Sequence, residues 1–218
     1  MKRYITRILP VLTALVVISC SDDAEVSDQA FLSDIVTLES TGEQGSRFTF
    51  RRYGDSPLIT LTDPGLQLDS ENVGKRVLLR YYPESGKPYT DGNIRAIGLS
   101  PINNDTTVIR PVERYDWDAN AVFLNSIWRS GNYVNVHLRA VYSDKPRYFS
   151  LMVDSLTLTD PVPQVYLVHN TLGAPDSYMR EVYASFDITN VWERQGCDGI
   201  EIHINDSNLK KEIYRFNK

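Results

Sequence analysis

In residues 133–141, YVNVHLRAV, the apolar Val134, Val136, Leu138 and Ala140 alternate with Tyr133, Asn135, His137 and Arg139. A period of two puts successive side chains on opposite faces of an extended chain, so this stretch reads as a half-buried strand, apolar face inward and polar face outward. RYFSLMVDSLTL (147–158), PQVYLVHN (163–170), EVYASFDI (181–188) and GIEIHIN (199–205) read similarly. In the last of these, Ile200, Ile202 and Ile204 face one way while Glu201 and His203 face the other. No segment sustains a 3.6-residue period, although a helical turn fits near 189–195. About six such strands joined by turns predict an antiparallel sandwich.

The first half is also β-rich, in shorter pieces. FLSDIVTLES (31–40), RFTFRRY (47–53), LITLT (58–62), KRVLLRYY (75–82) and GNIRAIGLS (92–100) are separated by turn-forming stretches such as GDSP and ESGKP. Short strands with this punctuation fit a barrel or a sandwich and not βαβ units. Between the halves lies PINNDTTVIRPVERYD (101–116), polar and proline-bounded, where a domain boundary would fall.

The chain begins with Lys2, Arg3 and Arg7, then an apolar run from Ile8 to Ile18. That run is about half the roughly 20 residues a membrane-spanning helix needs, so it reads as a secretory signal peptide. It breaks at V-I-S-C, which resembles a bacterial lipobox and marks Cys20 as the residue that carries lipid and becomes the new N-terminus once residues 1–19 are cleaved. Ser21, Asp22 and Asp23 follow at once, with Glu25 and Asp28 behind them. This resembles the acidic signal that sends Bacteroidetes lipoproteins to the outer face of the outer membrane, and residues 20–30 also suit a solvated tether.

Cleavage would remove three basic residues, leaving 199 residues with 20 Lys and Arg against 28 Asp and Glu, a net charge of −8. An acidic chain of this kind is a poor ligand for nucleic acid or anionic lipid. With Cys20 lipidated, Cys197 has no disulfide partner, and stability rests on packed cores.

The order of lipobox, acidic tail, a short β unit containing GKRVLLRYY, then DWDANAVFLNSIWRSGNYVNVHLR and YASFDI is similar to that of the NigD-like lipoproteins of Bacteroidetes. The resemblance is strongest in SIWRSGNYVNVHL (126–138) and extends over the mature chain. It implies an all-β fold: a small five-stranded OB-like barrel, over 31–105, followed by an antiparallel β-sandwich, over 106–218. The family is named from a gene beside a bacteriocin locus, and the resemblance brings no agreed activity and no catalytic residues.

Chemistry is sparse. His137 and His203 are on outward strand faces, and His169 shares the parity of Val165 and Leu167. No pair has metal-ligand spacing within one element, and no P-loop, G-x-S-x-G or dinucleotide glycine pattern occurs, so no metal, cofactor or catalytic residue is expected. Cys197 reads as a small loop residue before a strand. Asp116, Asp118 and Asn120 open like a calcium loop, but Ala121 stands where glycine is needed and Ile127 where the bidentate Glu belongs.

An OB barrel raises nucleic-acid or saccharide binding. Arg47, Arg51 and Arg52 interleave with Phe48, Phe50 and Tyr53, and Arg76 and Arg80 lie near Tyr81 and Tyr82. Residues 31–100 nevertheless carry eight Lys and Arg against nine Asp and Glu, so no basic field exists for a nucleic acid. Sugars stack on aromatic rings without needing net charge, and Tyr89, Tyr133 and Tyr178 fall at loops or strand ends. Asp105-Thr106-Thr107 and Asp154-Ser155-Leu156 resemble Bacteroidetes O-glycosylation acceptors, with Thr106 the better placed.

The expected function is that of a non-catalytic outer-membrane lipoprotein, displayed at the cell surface and acting as a binding or interaction module. Its expected partners are the membrane, through the lipid anchor, and a glycan, peptide or envelope protein, but no nucleic acid. The alternative is an accessory or protective component of an envelope assembly or bacteriocin-associated system. A hydrolase ranks last.

Overall fold

The computed structural model describes residues 30–112, 120–142, 148–173, 175 and 177–218. Strands β1 (Leu32–Gly42), β2 (Gly45–Arg51), β3 (Leu58–Asp63), β4 (Arg76–Pro83) and β5 (Gly92–Pro101) form a closed barrel in the order β1-β2-β3-β5-β4. Its core is Val36, Leu38, Phe48, Phe50, Ile59, Leu61, Leu79, Tyr81 and Ile94. Each large apolar side chain removed from water contributes roughly 1.5–3 kcal/mol, and the period-two pattern delivers these to one face. Extra residues at Glu39 in β1 and Ile97 in β5 shift the register and bend the strands toward closure.

The parallel β3–β5 seam has only two residue pairs, Leu61↔Gly92 and Thr62↔Asn93. Two carboxylates complete it. Asp63 accepts from the Ala96 N–H at 2.8 Å and the Gly65 N–H at 2.9 Å, while Asp91 accepts from the Thr60 N–H at 2.7 Å. Gly45 turns β1 into β2 at φ +91, and a Cβ there would lie 2.1 Å from the Asp63 carbonyl oxygen, so only glycine fits.

The second unit contains β6 (Asn103–Thr106), β7 (Val108–Arg110), β8 (Phe123–Ser130), β9 (Tyr133–Tyr142), β10 (Tyr148–Asp154), β11 (Gln164–Asn170), β12 (Tyr178–Asp187), β13 (Gly199–His203) and β14 (Ile213–Asn217). A five-stranded sheet, β14-β13-β11-β10-β7, packs on a four-stranded one, β6-β12-β9-β8. Most neighbours are antiparallel; β6–β12, β7–β10 and β11–β13 are parallel. Val134, Val136, Leu138 and Ala140 enter the core as their alternation predicts, against Phe149, Leu151, Val165, Phe186, Ile200 and Ile202. A helical turn, α1 (Thr189–Trp192), buries Val191 and Trp192.

The polar stretch 101–116 is not a bare link. It supplies β6 to one sheet and β7 to the other, with buried Thr107 at the crossing. Both pair in parallel with a longer strand, so backbone bonds hold them with little apolar burial. Among the described residues no helix is long and apolar enough to cross a membrane.

Candidate functional site

The barrel stands on the polar face of the four-stranded sheet. Cross-strand pairs Tyr133–Asp187, Asn135–Ser185, His137–Tyr183 and Arg139–Glu181 form that face. The alternation identified this face correctly as polar but assigned it to solvent; Asn135 and Ser185 are in fact buried at 1% and 0% exposure. Polarity at period two marks a face that needs hydrogen bonds, and another domain can supply them as well as water can.

Arg76, at the start of β4, supplies most of them. Its Nε donates to Ser185 Oγ at 2.6 Å, Nη1 to Thr37 Oγ1 at 3.0 Å, and Nη2 to Asn135 Oδ1 at 3.3 Å and the Ile35 carbonyl at 3.4 Å. The Tyr133 ring lies 4.0 Å from the guanidinium carbon. Burial pulls Arg76 down to about 10, a mark of how far the charge has been taken from water. Ser185 Oγ in turn donates to Asn135 Oδ1 at 2.7 Å.

A second tie joins the β2–β3 loop to the β8–β9 turn. Arg129, 7% exposed, grips Asp55 through both guanidinium nitrogens at 2.9 and 2.5 Å and rests on the Trp192 ring at 4.4 Å. Hydrogen bonding to Arg129 holds the Asp55 carboxyl below its usual range. Two backbone bonds cross the same contact, Gly54 N–H to the Arg129 carbonyl at 2.6 Å and Gly131 N–H to the Gly54 carbonyl at 2.8 Å. A bidentate Arg–carboxylate fork fixes orientation as well as distance.

Around these ties the two units leave a crevice with three lobes. The largest, about 540 Å³, lies beside Arg76, Tyr133, Asp55 and Glu193. A lobe of about 230 Å³ lies between Asp34, Phe50, Arg52, Trp128 and Tyr183. The third, about 440 Å³, is bounded by Leu78, Arg80, Tyr142, Arg180, Glu181 and Tyr183. Leu78 and Tyr183 wall both of the latter two. Tyr183 stacks on His137 at 4.2 Å, and Arg180 lies 4.8 Å from the Tyr142 ring. Arg52 lies over Tyr89 at 3.7 Å.

Several donors here are unspent. Arg80 has no hydrogen-bond or ion-pair partner among the described residues. Asn135 Nδ2 and His137 Nε2 are buried atoms with no hydrogen bond among them either, His137 Nε2 standing 3.8 Å from Glu181. Ligand sites favour such inter-domain concavities with a few convergent polar groups.

Another cleft, of about 550 Å³, lies outside the five-stranded sheet between Tyr166, His203, Lys210 and Glu212. Its polar groups are largely committed. His203 Nε2 meets Gln164 Oε1 at 2.6 Å, and Asp206 accepts from the N–H groups of Leu124, Asn208 and Leu209 and from Tyr214 Oη.

The other sequence candidates are dispersed. His169 is buried and stacks on Phe149 at 4.6 Å. His203 stacks on Tyr166 at 4.5 Å. Among the described residues no three His, Cys, Asp or Glu come close enough to hold a metal ion. Cys197 is buried, its thiol donating to the Gly199 carbonyl at 3.3 Å. Tyr89 and Tyr133 lie under arginines, and Tyr178 is exposed and tilted against Tyr142. Thr106 is exposed at the end of β6, whereas Asp154 is buried. Cys20, Ser21, Asp22, Asp23, Asp116 and Asp118 lie outside the described residues.

Burial lowers the pKa of both His137 and His203, outweighing the opposing pull of Glu181 on the first and of Glu201 and Glu212 on the second; Arg139 also lowers His137. The unfolded chain, with histidines near 6.5, then binds more protons than the folded one just below neutrality. Stability is therefore complete above pH 6.5 and declines as pH falls through that range. Asp34, raised by burial, acts in the opposite sense nearer its own range. Melting curves at pH 7.5 and 5.5 should show a lower midpoint at 5.5, and the drop should shrink in a His137→Phe, His203→Phe double variant. An unchanged drop in that variant assigns it to other groups.

The interlocking residues Arg76, Asn135, Ser185, Arg129 and Asp55 were not identifiable as a site from sequence. The one available signal was that Asn and Ser, unusual on paired central strands, recur on the same face of YVNVHL and YASFDI.

A family model for the NigD-like C-terminal beta sandwich domain matches residues 110–218. Among curated proteins none matches the chain. Among solved structures, a protein of unknown function from Bacteroides vulgatus is 17% identical at TM-score 0.63, covering 87% of this chain and 90% of that one. A NigD-like immunity protein from Bacteroides caccae is 20% identical at TM-score 0.59, covering 86% and 92%. A candidate lipoprotein from Bacteroides fragilis is 10% identical at TM-score 0.57, covering 86% and 98%. At these identities the likeness establishes the fold.

Proposed function

Because the chain belongs to the NigD-like family, we propose that it works as a non-catalytic, lipid-anchored envelope protein that binds a partner in the barrel–sandwich crevice. The observation that carries the binding role is the crevice itself: aromatic walls and unspent guanidinium donors between two units held in fixed orientation by Arg76 and Arg129. None of the three similar structures is named as an enzyme. The address rests on the short apolar run ending at Cys20, on the acidic Ser21-Asp22-Asp23, and on the lipoprotein among the structures of like fold. In this reading Cys20 is lipidated in the outer membrane, the acidic residues direct the protein to the cell surface, and exposed Thr106 accepts an O-linked glycan.

Protease shaving of intact source cells tests this address. Loss of the wild-type band with protection of an Asp22→Ala, Asp23→Ala variant is the expected result. Protection of both contradicts surface display and turns the search toward partners inside the envelope.

A protective or accessory role in a bacteriocin-associated or envelope system is the second reading, favoured by the immunity protein of like fold. A toxin or transporter gene beside this one would support it; an isolated gene would count against it.

A further inference from the structure

We infer that the lobe of the crevice around Arg80 and Arg180 takes a carboxylated saccharide, an inference that rests on the crevice being the binding site. Two guanidiniums, Arg80 from β4 and Arg180 from β12, line this one lobe of about 440 Å³. Neither forms a hydrogen bond or ion pair among the described residues, where Arg180 lies over the Tyr142 ring at 4.8 Å. A guanidinium offers a rigid fork of donors that fits a carboxylate in two parallel bonds, and two exposed forks lining one lobe are available for such recognition.

Charge narrows the ligand. Among the described residues lining this lobe Glu181 is the one acidic side chain, so together they carry an excess of about one positive charge on an otherwise acidic protein. That suits a singly charged group better than a doubly charged phosphate.

The walls narrow it further. Tyr142 and Tyr183 come from β9 and β12 and present ring surface beside the cations. Tyr183 is braced by His137 at 4.2 Å and 6° between planes, and Tyr142 by Tyr178 at 5.6 Å. A braced ring loses little freedom on binding, and the flat face of Tyr183 turned away from His137 matches the C–H face of a pyranose, with Ser100 and Asn103 nearby for hydroxyl groups. An acidic peptide would satisfy the arginines but would leave this ring face without a matching surface.

The test titrates the full mature chain with tri-galacturonate, its neutral methyl ester and tri-glutamate, following heat and backbone amide shifts. Tri-galacturonate should bind, with shifts at Leu78, Tyr142 and Tyr183. The ester, and the Arg80→Gln and Arg180→Gln variants with the acid, should each bind at least tenfold more weakly. Both arginines are outside the cores, and the ester comparison needs no variant. Equal binding of the ester, or undiminished binding by both variants, overturns the requirement for a carboxylate while leaving the crevice as the site. Equal binding of tri-glutamate overturns the saccharide. Failure of all three probes overturns the inference alone, and shifts confined to another surface overturn the crevice reading with it.

Discussion

Arg76→Ala should destabilise the protein by about 3 kcal/mol and split its thermal unfolding into two transitions. The magnitude follows from removing a buried charged donor from its acceptors, at roughly 1.5–3 kcal/mol per such bond before relaxation. Four acceptors are involved, two in the barrel (Thr37 and Ile35) and two in the sandwich (Ser185 and Asn135). Ser185 and Asn135 remain bonded to each other in the variant, which limits the loss. The Arg129–Asp55 fork also survives, but Asp55 is 76% exposed, and a half-solvated ion pair contributes far less than a buried one. Arg76→Lys keeps the charge but cannot reach both domains with a planar fork, so it should recover less than half of the loss. Calorimetry decides the matter: a single transition at the wild-type midpoint in Arg76→Ala would mean that the units are coupled by something else.

Cys20→Ser should move the protein from the membrane pellet to the soluble fraction almost completely. Each buried methylene of an acyl chain contributes about 0.8 kcal/mol to membrane affinity, and a single chain holds only marginally, whereas two or three make a lasting anchor. No helix among the described residues can replace it. With residues 1–19 removed, as proposed, a chain of net charge −8 would gain nothing from anionic lipid headgroups. Metabolic labelling with an alkyne fatty acid should mark the wild type and not the variant. A Cys20→Ser protein that still pellets with membranes would place the anchor elsewhere.

The barrel was legible from the sequence because its core alternation is intact. Phe48 and Phe50, or Leu79 and Tyr81, announce their face without help from distant residues. Much of the sandwich was legible for the same reason, in YVNVHLRAV and GIEIHIN above all. Strands β6, β7, β8 and β14 were not. The first two have four and three residues and no buried apolar side chain, being held by parallel backbone pairing that leaves no mark in composition. In β8 a register shift between Leu124 and Ser126 breaks the period of two, so FLNSIWRS does not alternate. In β14 only Tyr214 is buried, and the polar NDSNLKKE before it reads as a tail.

The crevice was hidden for a different reason. Its walls come from residues about 60 to 110 positions apart, such as Arg76 and Ser185, 109 positions apart, and their meeting depends on how two separate cores dock. Sequence could point to arginines interleaved with aromatics and to exposed tyrosines. It could not say that Arg76 would be spent on the interface while Arg80, four residues later, would make no hydrogen bond among the described residues.

The most direct measurement is hydrogen exchange of the full mature chain with and without the soluble saccharide and protein fraction of the source cell envelope. A partner bound between barrel and sandwich should slow exchange at residues 78–82, 140–142 and 180–184, the segments that carry Leu78, Arg80, Tyr142, Arg180 and Tyr183 of the crevice wall. Protection gathered instead at 166–168 and 203–206, the cleft outside the five-stranded sheet, would contradict the account.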